Sequence, residues 1–263
     1  MSKLLLCMLL LSPVQVTHQS ASNIGGIALP PDFERVRLPE NSFGSWLRKL
    51  PLKKDKRVYL YDGRLKPNQS AQYAVLQVPV GKKDLQQCAD AIMRLRAEYL
   101  MDAGREDSIA FKSTSGQTLR FRDWKAGTRY KLSGSKLIVY KIPTGAGTKR
   151  EQLESFLEFV FTYCGTLSLE CELKRSVSIG SISPGDVLIK GGSPGHAMIV
   201  VDVAVNRQGR RIFMLAQSYM PAQDIHIVRN PTNGSISPWY EADATANIET
   251  PEWDFTVGQL RSW

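Results

Sequence analysis

From His196 to Val205 the chain reads His-Ala-Met-Ile-Val-Val-Asp-Val-Ala-Val, an almost unbroken apolar, β-branched run. Asn206-Arg207-Gln208-Gly209 then supplies turn residues, and Ile212 to Tyr219 is a second β-rich segment. Two such runs joined by a short turn predict a long antiparallel hairpin, and the rest of the fold has to cover it. Shorter β-rich segments at Val58–Tyr61, Tyr73–Val80, Asp186–Ile189 and Ile225–Val228 offer further strands, and residues 111–142 read as strand-and-turn material. Three helices are predicted to pack on this sheet. Ser42 caps one whose stripe is Phe43, Trp46, Leu47 and Leu50. A second runs from Leu85 to about Met101, with Asp84 and Gln87 at capping-box spacing and Leu85, Cys88, Ile92, Leu95 and Tyr99 as its buried stripe. Asp90, Arg94 and Glu98 on its other face are expected to form a solvated ladder. The third runs from Lys149 to Cys164, with Thr148 and Glu151 as its capping box. The pattern gives an α+β fold, helices on a mainly antiparallel sheet, with a turn-rich tail from Asn230 draped over the core.

The N-terminus is of a different kind. A lone Lys3, the apolar run Leu4–Leu11 and the small residues Ser20-Ala21-Ser22 make residues 1–22 an expected export signal. Residues 23–263 are then expected to be a single globular domain of about 240 residues, with no later segment apolar enough to span a bilayer. The net charge of +9 suits an anionic envelope polymer or membrane surface. No basic helix or basic–aromatic repeat accompanies it, so nucleic acid is not an expected partner. Four cysteines become three once Cys7 leaves with the signal, so at least one thiol is unpaired. Cys164 and Cys171 could close a small disulfide loop and leave Cys88 free. No CxxC occurs and the histidines are scattered, so neither metal nor cofactor is expected.

Few residues can carry chemistry. His196 stands at the mouth of the long strand, directly after Gly191-Gly192-Ser193-Pro194-Gly195, a loop that lets a ligand or second backbone approach the imidazole. His226, between two isoleucines, is expected to face solvent by alternation. Cys88 lies near a helix N-terminus, where the backbone dipole favours a thiolate, yet it also fits a core stripe. The hairpin register supplies a third member. A turn with Asn206 opposite Gly209 sets Met198 against Gln217, and a slip of one residue sets Val200 there instead. Either register puts Gln217 on the face of His196, and the first makes the two near-diagonal neighbours. Asp202 is expected on that face too, but too far along the strand to pair with His196.

Pro184-Gly185-Asp186-Val187-Leu188, the glycine-rich loop and His196-Ala197-Met198-Ile199-Val200 resemble the strand–loop–His-strand element of NlpC-type papain-like cell-wall peptidases. In that superfamily a cysteine at a helix N-terminus is the nucleophile, a strand histidine the base and a polar residue on the next strand its orienter. Cys88, His196 and Gln217 match these roles in chain order, although Gln87 stands where an acidic residue is usual. The resemblance implies a papain-like fold and a cysteine hydrolase or acyl transferase acting on an envelope amide such as peptidoglycan. A second similarity is wider. Gln86-Gln87-Cys88-Ala89-Asp90-Ala91, Thr162-Tyr163-Cys164-Gly165-Thr166-Leu167-Ser168, Gly191 to His196 and Ala216 to Gln223 resemble the bacterial domain-of-unknown-function 4846 family. That resemblance implies an exported, periplasmic or envelope-associated protein and assigns no activity. The alternative expectation is a non-catalytic envelope module that binds a glycan or protein partner through its aromatic tail and the block from Gln217 to Gln223, with Cys88 in the core.

Overall fold

In the computed structural model, which describes residues 21–144, 147–175, 178–245 and 247–263, the expected hairpin forms the middle of a nine-stranded sheet. The export signal expected over residues 1–22 lies, through residue 20, outside the described residues. In chain order the elements are β1 (Phe33–Arg35), α1 (Phe43–Lys49), β2 (Gln72–Val75), α2 (Cys88–Asp102), β3 (Ala110–Lys112), β4 (Thr118–Arg120), α3 (Phe121–Lys125), β5 (Thr128–Ser133) and β6 (Lys136–Lys141). They continue with α4 (Lys149–Tyr163), α5 (Thr166–Glu172), β7 (Lys174–Arg175), β8 (Val187–Lys190), β9 (His196–Asn206), β10 (Arg211–Gln217) and β11 (His226–Val228). The tail adds β12 (Tyr240–Glu241), β13 (Ile248–Glu249), β14 (Asp254–Phe255) and β15 (Leu260–Ser262). The sheet order is β2-β11-β10-β9-β8-β15-β7, with β1 added to β9 and β12 to β10, and its pairings are antiparallel. The fold is therefore α+β, as the sequence pattern predicts. No helix among the described residues is long and apolar enough to cross a membrane.

The two sheet faces carry separate cores. Ala197, Ile199, Val201, Met214 and Ala216 pack with the helical layer, whereas Met198, Val200, Phe213 and Leu215 pack with Tyr240, Ile248, Phe255 and Leu260 of the tail. The tail is thus a structural layer that also lends β15 to the sheet, which turn-rich composition concealed. Val58–Tyr61 does not form a strand; Tyr59 and Leu60 make only isolated bridges. The short helices α3 and α5 arise inside segments that read as strand or loop.

α1 and α4 begin at their predicted caps, Ser42 Oγ accepting from Ser45 N–H at 3.2 Å and Thr148 pairing with Glu151. α2 starts later than the sequence suggests. Its cap is Gln87, whose N–H is held by the Asp90 carboxyl oxygen Oδ2 at 3.0 Å, while Asp84 instead accepts from the Gln87 side chain and from Ala222 N–H. Cys88 is consequently the first residue of the helix. Nor is the ladder on α2 solvated: Asp90, Arg94 and Glu98 are buried, because α1, α4 and α5 surround a helix whose remaining face lies on β9 and β10. Glu98 pairs with Arg150 of α4, and Arg94 donates to Gln86 Oε1 at 2.9 Å. Cys164 and Cys171 do not form the disulfide considered above. All three described cysteines are free, Cys164 buried at the end of α4 and Cys171 exposed on α5.

The hairpin register changes midway. Near the turn Phe213 faces Val203 and Met214 faces Asp202, then a bulge places Leu215 opposite Val200 and Ala216 opposite Ile199. The first of the two registers foreseen thus holds at the His196 end and fails at the turn end. The extra residue at the bulge turns Asp202 away from the His196 face. Asp202 lies instead on the helical side, fully buried, and binds Arg35 at 2.6 Å and Arg48 at 2.5 Å.

Candidate active site

A cleft of about 630 Å³ opens where the start of α2 meets the loop before β9. Its walls include Cys88 and Asp90 of α2, Cys164 at the end of α4, Gly192 to His196, Tyr219 and Trp253. The loop glycines are demanded by close packing. A Cβ on Gly195 would stand 2.4 Å from Gly192 O and 2.7 Å from Thr166 Oγ1, and one on Gly191 2.6 Å from Glu170 Oε2. The loop thus packs tightly on the start of α5.

Sequence reasoning paired His196 with Gln217, and the structure joins them at 2.8 Å. The hydrogen-bond chain also fixes protonation. The Glu252 carboxylate can only accept, so Gln217 Nε2 donates to it, at 2.8 Å. Gln217 Oε1 then faces His196 and must accept, which places the imidazole proton on His196 Nε2. Nδ1 is left as the basic nitrogen of the neutral ring. The second Gln217 amide hydrogen points to His226 Nε2 at 3.2 Å, and His226 Nδ1–H donates to Asp224 O at 2.9 Å. Glu252 itself is anchored by the buried Lys66 ammonium at 2.6 Å. A line of polar groups thus runs from Lys66 through Glu252 and Gln217 to His196.

Aromatic rings hold the imidazole laterally. Tyr219 lies 4.7 Å and Trp253 5.4 Å from it, centroid to centroid, with Phe255 behind at 6.1 Å. Burial pushes the His196 imidazole down to about 4 against the upward pull of Gln217. His226 is fully buried, contrary to the solvent-facing position expected from alternation, because β11 is an interior strand between β2 and β10. Burial, helped by the Lys66 charge, lowers it to about 3.

Cys88 reaches the same cleft from the other side. Burial raises its thiol to about 11, with Asp90 adding to the rise; the backbone amides of Ala89, Ala197 and Cys88 itself act the other way, favouring the thiolate. Ala197 directly follows His196, so the sulfur sits against the start of the histidine strand. The resting groups are therefore a neutral thiol and a neutral imidazole. Asp90 completes this wall. Its Oδ2 caps the helix, its Oδ1 has no partner, and burial lifts its carboxyl to about 8, so at neutral pH it carries a proton. Cys164, also raised by burial, feels Glu172 and Asp90 as well. Among the described residues no group of three or more His, Cys, Asp and Glu side chains could hold a metal ion.

One family model, Domain of unknown function (4846), matches residues 25–262. The chain belongs to this family. No curated protein and no solved structure matches it. The matched region of this family member runs from the first described 3₁₀ turn through β15 and contains Cys88 and every residue of the line from Lys66 to His196. Sequence reasoning missed Lys66, Glu252, Trp253 and the burial of His226. Only the Pro-Glu-Trp at 251–253, polar and aromatic residues inside a tail bearing three tryptophans, hinted that the tail reaches the site.

Proposed function

We propose that this member of the 4846 family is an exported cysteine hydrolase or acyl transferase of papain-like type, acting on a cell-envelope amide such as peptidoglycan. The observation that carries the reading is the oriented imidazole: Gln217 and Glu252 leave His196 Nδ1 basic, in a cleft it shares with the first-turn thiol of Cys88. In the reaction Cys88 Sγ attacks the carbonyl carbon while its proton passes to His196 Nδ1. The free amides of the first α2 turn receive the oxyanion. Collapse breaks the C–N bond, His196 returns the proton to the departing amine, and water or a second amine takes the acyl group from sulfur. Gln217 keeps the ring in place, and Glu252 holds Gln217. The net charge of +9, which becomes +8 once Lys3 leaves with the signal, attracts an anionic polymer.

A second reading, a non-catalytic envelope module for a glycan or protein partner, draws support from the raised thiol and lowered imidazole, which leave the pair uncharged at rest. The two readings separate on Cys88→Ala and His196→Ala. For the enzyme, each variant abolishes release of amine from peptidoglycan fragments, and the double variant is no worse than either alone. Thiol alkylation of the native protein also depends on His196. If Cys88 alkylates at one rate with and without His196, and peptidoglycan stays intact under the wild type, the hydrolase is wrong.

A further inference from the structure

The ribbon β5–β6 stands apart from the main sheet, and its two strands pair only with each other. It is fixed at its base: Tyr130 stacks on Phe159 of α4 at 5.5 Å, and Arg129 lies over Trp124 of α3 at 3.8 Å. Leu137, opposite Leu132 near the turn, is buried with Tyr130 in the main core, so one face of the ribbon is tied down along its length and the other is open. Leu132 and Val139 lie on one face, Ile138 and Tyr140 on the other, and all four are exposed. With Ile142 they make five of the eight large apolar side chains that stand exposed among the described residues, so the exposure is concentrated on this ribbon rather than scattered. The charge there has one sign. Lys131 and Lys136 are exposed beside these apolar groups, Arg129 and Lys141 stand nearer the base, and no carboxylate occurs between residues 128 and 144.

We infer that the β5–β6 ribbon docks the protein on an anionic lipid surface, inserting Leu132, Val139, Ile138 and Tyr140 among the headgroups while Lys131 and Lys136 bind the lipid phosphates and carboxylates. Two physical arguments select this occupant. A second copy docked ribbon to ribbon about a two-fold would bring a cationic ribbon against a cationic ribbon, which repels. An acidic bilayer surface satisfies apolar and cationic groups together, with the lysine stems lying along the apolar layer. The backbone sets the depth. Both outer edges of the ribbon carry unpaired N–H and C=O groups, so the ribbon rests in the hydrated headgroup layer and only side chains go deeper. The base of the ribbon packs on α4, whose last turn also supplies Phe161 and Thr162 to the cleft wall.

The test is co-sedimentation of the protein with vesicles of phosphatidylcholine alone and of phosphatidylcholine containing one-third phosphatidylserine. Binding is expected only to the anionic vesicles and should weaken steeply as salt rises from about 0.1 to about 0.5 M. Lys131→Gln and Lys136→Gln should each lower the partition coefficient roughly fivefold. Leu132→Ser with Val139→Ser should lower it more than about tenfold. These side chains are exposed, so thermal melting of the variants should match the wild type. The inference is overturned by equal binding to neutral vesicles, by no binding to anionic ones, or by variants that sediment like the parent. It is also overturned if the wild type is a dimer in light scattering that the serine variants convert to monomer, since the ribbon then belongs to a second copy. None of these readouts involves the cleft chemistry, so this inference and the hydrolase reading fail separately.

Discussion

Replacing Asp90 by Asn tests the electrostatics of the cleft wall through stability alone. Asp90 is buried at the third position of α2, with Oδ2 holding Gln87 N–H and Oδ1 unpartnered. Burial raises its carboxyl from 3.8 to about 8. Between those values the folded chain keeps a proton that the unfolded chain has lost. Stability from this group is therefore whole below about 3.8 and drains away as pH rises through about 8. One proton corresponds to about 1.4 kcal/mol per pH unit. Asparagine resembles the protonated acid: its oxygen can hold Gln87 N–H, and its NH₂ takes the place of the buried hydroxyl. Asp90→Asn should thus match the wild type only below 3.8, exceed it by about 2 kcal/mol at about pH 5 and by about 5 kcal/mol at about pH 8. Urea unfolding of both proteins across that range measures the difference, and groups common to the two cancel. A constant difference between the curves would mean that Asp90 is already ionised at about pH 5, and the reasoning fails. So would a variant weaker by more than about 2 kcal/mol at about pH 5, which would show that the carboxylate rather than the acid holds the helix start.

The histidines give the opposite sign. Burial takes His196 from 6.5 to about 4 and His226 to about 3, so stability is whole above 6.5 and lost as pH falls toward those values. Two-dimensional NMR of the imidazoles should show both rings neutral down to about pH 5; a ring titrating near 6.5 contradicts its burial. Glu252→Gln would strip the buried Lys66 ammonium of its counter-charge and should cost about 3 kcal/mol in urea unfolding. A loss below about 1 kcal/mol would place Lys66 in contact with water and remove Glu252 as the anchor of Gln217.

The parts of this fold legible in the sequence are those whose pattern is local. The hairpin from His196 to Gln217, the Ser42 and Thr148 caps and the stripe of Leu153, Phe156, Leu157 and Val160 all depend on residues a few positions apart. The errors have a common source in burial from beyond the local segment. Asp90, Arg94 and Glu98 read as a solvated ladder because nothing in α2 reveals that α4 and α5 close over it. His226 read as solvent-facing because strict alternation assumes that one face of a strand meets water, and β11 is an inner strand with both faces covered.

The candidate site divides the same way. Gln217 could be paired with His196 because hairpin geometry relates positions across one turn, and the pairing survived although the turn register was off by one. A bulge absorbed that offset before the site, and in doing so sent Asp202 to the helical face, where it meets Arg35 and Arg48. What no local rule could reach is the outer half of the line. Lys66 and Glu252 are separated by most of the chain and meet where the turn of the β13–β14 hairpin, packed on the sheet through Ile248 and Phe255, carries Glu252. Yet their pairing has a necessity that can be stated after the fact. A buried amide that must present its oxygen to a histidine needs an acceptor for its NH₂ group, a carboxylate is the strongest one available, and a buried carboxylate needs a cation. Given His196 and Gln217, the chemistry calls for an anion and a cation in sequence behind them. The fold meets that demand with two residues whose positions in the chain carry no sign of it.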